Sequence, residues 1–197
     1  MKQAFVTIWL VAIFGAIASI FWYTDLRYQL PTPIPPNYKA PVIGKLITES
    51  LPVKTSQKPI MLHFFNPKCA CSRFNIAAVK KLYRRYGSRV DFVVVVLSNE
   101  PYTAAQIQQI LGLSVPVTFN KAIAADCGVY STPQVALLNW SRKLYYYGNY
   151  NRSRYCTDEK TNYAADAIAG LLSKNARLFI NPLALKAYGC SLPTCGK

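Results

Sequence analysis

Residues 60–75, IMLHFFNPKCACSRFN, carry the change of pattern on which the fold turns. Residues 61–65 are an apolar run that stops at Asn66-Pro67, and proline there cannot continue a strand ladder. From residue 70 a helical pattern takes over. Ala78, Val79, Leu82, Tyr83 and Tyr86 fall at spacings that share a face, and Gly87 is its stop. Strand, turn and helix in that order set two thiols, Cys69 and Cys71, at a helix start. The dipole and the unpaired N–H groups of a first turn favour thiolate over thiol. The thiolate is the form that attacks disulfides and binds soft metals. Lys68 and Arg73 add positive charge on either side.

Working outward, residues 58–65 read as a buried strand and 70–86 as a helix. Residues 89–98, RVDFVVVVLS, read as a central strand, since an unbroken valine run fits a strand covered on both faces. Residues 103–111 form a short helix capped by Thr103, 115–119 a short extended piece and 121–127 a helical turn. Residues 134–139 and 143–148 pair as a hairpin through a turn at 139–142, and 162–173 close the domain as an amphipathic helix. The order is βαβ followed by αββα. It predicts a right-handed parallel crossover, an added antiparallel hairpin, and a mixed sheet with helices on both faces.

Upstream, residues 4–23 contain no charge and are long enough to span a bilayer as a helix. They account for part of the 52% apolar content of the 197-residue chain. A small-x-small site at Ala16-Ile17-Ala18 is the mark of a cleavable signal. The apolar run nevertheless continues past it to Trp22 and Tyr23, residues suited to a membrane interface, so an uncleaved anchor over 1–24 is expected. Residues 29–42, QLPTPIPPNYKAPV, read as a semi-rigid spacer of about 3.1 Å per residue, some 40 Å in reach. The expected organisation is anchor 1–24, proline-rich linker 25–45, main domain 46–175 and tail 176–197. The formal net charge is +15, spread over several segments. It predicts a basic soluble surface, or contact with anionic headgroups or an acidic partner. No nucleic-acid motif is present, and no nucleic-acid partner is expected.

Three local features in this order resemble the thioredoxin-like superfamily: FFNPKCACS at the strand-to-helix turn, Ser131-Thr132-Pro133 just before the hairpin, and Gly148 at the hairpin's end before the closing helix. The resemblance covers roughly residues 57–174. It implies an α/β fold, a thioredoxin-like mixed sheet flanked by helices, preceded here by one N-terminal transmembrane helix. It implies Cys69 as nucleophile, a cis Pro133 facing it, and Thr132 with Pro133 holding a substrate backbone. With the anchor, the whole resembles membrane-tethered thiol–disulfide proteins of the bacterial periplasm. That implies an inner-membrane, single-pass protein with protein thiol or disulfide substrates and a membrane redox partner.

The chain departs from the family pattern at the second thiol. The usual resolving position falls on Ser72, and Cys71 lies one residue early. A Cys69–Cys71 disulfide would close a very small, strained ring. A second candidate resolving thiol is Cys156. If the last hairpin strand runs parallel to the first strand, the segment after Gly148 hangs at the same sheet edge as Cys69. It would bring Cys156 there, with Asn149, Asn151, Arg152 and Arg154 as donors and positive charge. His63, the single histidine, reads either as a proton carrier for the thiols or as a neutral core residue. Cys127 reads as buried and structural. Cys190 and Cys195 are close enough for a local structural disulfide in the tail. No cofactor is required for the exchange reading. The alternative is a copper-binding protein using Cys69 and Cys71, since Cu(I) prefers soft ligands. A third reading is a binding domain without chemistry.

Overall fold

The computed structural model describes residues 2–26, 30–53, 57–153, 161–173 and 181–192. Helix α1 (Lys2–Phe21) ends in a wider π-helical turn, Trp22–Leu26. None of its described residues is buried, and it is long and apolar enough to cross a membrane.

Strand β1 (Ile60–Phe65) is buried along its whole length. Helices α2 (Ala70–Phe74) and α3 (Ile76–Tyr86) follow, then β2 (Asp91–Val96) and α4 (Ala104–Leu111). The chain continues through β3 (Val117–Thr118), α5 (Ala122–Asp126), β4 (Ser131–Thr132), β5 (Gln134–Leu138) and β6 (Leu144–Gly148). Helix α6 (Tyr163–Leu172), the short α7 (Pro182–Leu185) and β7 (Cys190–Ser191) complete it.

The main sheet has the order β3-β2-β1-β5-β6. Strand β1 is parallel to β2 and antiparallel to β5, and β5 is antiparallel to β6. Strand β6 therefore runs parallel to β1, and both end at the same edge. Side chains alternate across the sheet as a period of two requires. Met61, Phe65, Phe92, Val94 and Val96 pack against α3, α4 and α6. Leu62, Phe64, Val93 and Val95 pack against α5 and the segment carrying Ile47 and Leu51. This is the thioredoxin-like mixed sheet, covered on both faces.

Three expectations need correction. The helix expected over 70–86 is interrupted at Asn75, a fully buried residue that closes α2 and opens α3. The proline-rich segment is not a free spacer but lies on the domain. Thr32 is buried and donates its N–H to the Ala187 carbonyl (2.9 Å), and Tyr38 Oη donates to the Gly128 carbonyl (2.9 Å). Leu46 bridges Lys143, and Ile47 is buried in the core. Proline removes donors from this stretch, yet the Thr32 and Gly44 N–H groups and the Lys45 carbonyl still pair with the domain. The tail, too, is part of the domain from Asn181 to Leu192. Strand β7 pairs antiparallel with β4, matching Ser131 to Ser191 and Thr132 to Cys190.

Candidate functional site: three sulfurs beneath a returning tail

The turn after β1 is built by Asn66. Its side-chain oxygen accepts the Lys68 N–H (3.0 Å), and its carbonyl accepts the Cys69 N–H (3.0 Å). This leaves Cys69 extended at the start of α2 (φ −80°, ψ 119°), with its carbonyl accepting the Arg73 N–H at 3.2 Å. Cys69 is 2% exposed, and its Sγ lies 3.4 Å from the Thr132 carbonyl oxygen. The Thr132–Pro133 peptide bond is cis.

Cys69 is disulfide-bonded to Cys190, across 121 residues, with the two Cα atoms 5.9 Å apart. This corrects the expected local pairing of Cys190 with Cys195, and it supplies a partner for Cys69 other than Cys71 or Cys156. Cys195, Cys156 and Arg154 lie outside the described residues. Cys71 is fully buried and outside the disulfide. The sulfurs of Cys69, Cys71 and Cys190 all lie within 4.8 Å of one another.

The tail is held at this place from three sides. Asn149, fully buried, donates its side-chain N–H to the Lys186 carbonyl (2.7 Å) and its backbone N–H to the Ala184 carbonyl (2.8 Å). The Tyr188 hydroxyl lies within hydrogen-bond reach of the Asn151 and Ser153 carbonyls. Thr32 Oγ1 is 2.9 Å from Ser131 Oγ, which lies 3.2 Å from the Cys190 carbonyl oxygen. The loop after β6 does reach this edge, as the topology required. Asn149, however, grips the tail, while the Asn151 side-chain oxygen accepts from the Ser153 N–H and the Thr161 hydroxyl. A Cβ on Gly189 (φ +124°) would collide with the Thr132 carbonyl, so only glycine lets β7 come this close to β4.

The other expected residues divide. Ser72 is buried, and its Oγ accepts the Asn66 N–H (3.4 Å), steadying the turn. The Lys68 ammonium is exposed and paired with Glu100 at 3.2 Å, an ion pair of little energetic weight. Arg73 is exposed on α2. His63 Nδ1 is 2.7 Å from the Tyr150 hydroxyl, and its ring packs against Phe65. Burial pulls its pKa down to about 3. It is a neutral core residue at physiological pH, the second of its two readings, and among the described residues it does not join the sulfur cluster. Cys127 sits apart in the other core face, its thiol pushed up to about 12, first by burial and then by Asp126.

Cys190 is the disulfide partner that the sequence reading misplaced. The available signal was Gly189 before it and an unpartnered Ser131-Thr132 pair elsewhere. Two residues of strand are too few to show periodicity.

Comparisons with known proteins bear on the fold. A family model described as a domain of unknown function, DUF6436, matches residues 42–193. No curated protein matches. Among solved structures, an uncharacterized conserved protein from Geobacillus kaustophilus is similar at TM-score 0.61 and 14% identity, covering 82% of this chain and 97% of that one. A hypothetical protein from Sinorhizobium meliloti is similar at TM-score 0.55 and 18% identity, covering 70% and 80%. The thioredoxin domain of a thiol-disulfide oxidoreductase from Bacteroides vulgatus is similar at TM-score 0.42 and 13% identity, covering 54% and 80%. The fold is thioredoxin-like, and a disulfide at its strand-to-helix turn supports a redox role.

Proposed function

We propose, for a chain that belongs to the DUF6436 family of unknown function, a membrane-tethered thiol–disulfide oxidoreductase in which Cys69 is the nucleophile and Cys190 the resolving thiol. The observation that carries this reading is the Cys69–Cys190 disulfide, with Cys190 delivered on a strand paired to Thr132.

In the reduced chain, the Cys69 thiolate attacks one sulfur of a substrate disulfide. A mixed disulfide forms, and the other substrate sulfur leaves as a thiolate. The Cys190 thiolate then attacks the Cys69 sulfur. The Cys69–Cys190 bond closes, and the substrate leaves as a dithiol. A membrane-linked dithiol donor restores the two thiols. Run in reverse, the same steps oxidise a dithiol substrate, and the relative potentials of substrate and partner set the direction.

Geometry adds a constraint. With β7 in place, Cys69 is covered, while Cys190 is partly exposed beside a cleft of about 560 Å³ lined by Leu30, Pro31, Thr32, Pro33, Gly189 and Ser191. The donor therefore approaches the Cys190 sulfur, which frees Cys69. An extended substrate segment takes the place of β7 along Thr132 once the tail has left. Helix α1 is read as the tether, in the inner membrane, with the domain on the periplasmic side, where thiol pairs can be oxidised.

The test uses single variants of the full chain. Cys190→Ser is expected to accumulate mixed disulfides through Cys69, visible on non-reducing gels. Cys69→Ser is expected to trap nothing and to lose disulfide reductase activity by at least 100-fold. A Cys69→Ser chain that reduces disulfides at the parental rate overturns the assignment.

A further inference from the structure

We infer that the reduced site binds one soft metal ion, Cu(I), through the three sulfurs of Cys69, Cys71 and Cys190. The inference shares its cysteines with the exchange reaction but does not depend on that reaction.

Exchange chemistry uses two thiols, and a third thiol is buried against them. Cys71 is fully buried on the first turn of α2, and its sulfur lies within 4.8 Å of both partners of the disulfide. Metal–thiolate distances of about 2.3 Å set three ligating sulfurs roughly 4 Å apart. The observed cluster reaches that arrangement once the Cys69–Cys190 bond opens, with small movements only.

The donor set selects the ion. Three thiolates are soft ligands, and among the described residues no carboxylate or imidazole joins them. Hard oxygen-seeking cations find no ligands here. Closed zinc sites take four protein ligands, one more than the cluster supplies. Cu(I) is satisfied by three thiolates. Cys69 is 2% exposed and Cys71 is not exposed at all, so two of the three ligands are shielded from water, and the partly exposed Cys190 is the side from which the ion would enter.

Loading involves no change of oxidation state at the metal. A dithiol reductant first gives two electrons and two protons to the Cys69–Cys190 bond. Cu(I) then displaces the thiol protons and accepts a lone pair from each sulfur. Oxidation of the pair back to the disulfide removes two of the three ligands. Metal occupancy and the disulfide are thus mutually exclusive, and the redox state of the Cys69–Cys190 pair decides between them.

The experiment titrates reduced full-length protein, in detergent and without oxygen, with Cu(I) held by a bicinchoninate competitor. The expected result is one Cu(I) per chain with three sulfur scatterers by X-ray absorption, and no uptake by the chain oxidised to Cys69–Cys190. Cys71→Ser and Cys190→Ser are each expected to bind at least tenfold more weakly, with two sulfurs. Absence of uptake by the reduced wild type overturns the inference. So does uptake that is indifferent to oxidation, a comparison needing no substitution, or to both variants. Thiol counting on the same samples reads the disulfide separately. A chain that cycles the Cys69–Cys190 bond yet takes no copper removes this inference and leaves the oxidoreductase reading standing.

Discussion

Gly189 leaves no room for a side chain, with its backbone at φ +124° and the Thr132 carbonyl where a side chain would begin. Gly189→Ala should push β7 off β4 at a cost of ~1–3 kcal/mol. At a fixed glutathione potential, the Cys69–Cys190 fraction should then fall about tenfold relative to the dithiol, as 1.4 kcal/mol implies. Alkylation gel shifts read this directly, and an unchanged fraction contradicts docking through this pairing. His63 makes a separate prediction. Its ordinary pKa of 6.5 falls to about 3 in the folded chain. Between those values the unfolded chain binds a proton that the folded chain does not. His63 therefore costs no stability above about pH 6.5 and progressively more as pH falls toward 3, up to on the order of 4–5 kcal/mol. Urea midpoints at pH 7 and pH 4 should differ less in His63→Gln than in the wild type; equal differences would sink this. At this scale the local strand-to-helix signal placed Cys69, and the resemblance to thioredoxin-like proteins put Thr132 and Pro133 beside it, where the Cys69 Sγ lies 3.4 Å from the Thr132 carbonyl oxygen. The sequence did not show the state of His63, which its burial in the folded core sets.

Among the elements, those with a full period of pattern were legible, whereas the short α7 and β7 were not. Strands β1 and β2, the β5–β6 hairpin and helices α3, α4 and α6 all lie where apolar spacing placed them. The Thr103 start of α4 is a complete capping box with Gln106, the two bonds being 3.2 Å and 2.8 Å. Thr103→Ala should cost about 1 kcal/mol. That should appear as a melting-point drop of ~2–4 °C in a domain of this size, measured by calorimetry. By contrast, α7 has four residues and β7 two. Neither is long enough to display a period, and both are fixed by tertiary bonds from Asn149, Thr32 and Ser131. Residues 29–42 read as a spacer for the same reason. Their attachments are single bonds scattered along a proline-rich strip, invisible to any local pattern.

For the whole molecule, the decisive link is between ends of the domain that sequence distance keeps apart. Closing a loop of 121 residues removes about 5 kcal/mol of unfolded-state entropy in the chain-entropy model. Mild reduction should accordingly lower the denaturant midpoint, and Cys71→Ser, which leaves that bond in place, should retain the oxidised midpoint's dependence on reductant. The same link ties redox state to access. The oxidised chain covers Cys69, and the reduced chain can release the tail. All of this rests on which cysteine pairs with Cys69, and peptide mapping of the oxidised full-length protein by mass spectrometry, with free thiols blocked before digestion, measures it most directly. The expected result is a crosslinked peptide joining Cys69 to Cys190, with Cys71 alkylated. A Cys69–Cys71 product, or a Cys190–Cys195 loop with Cys69 alkylated, would contradict the account.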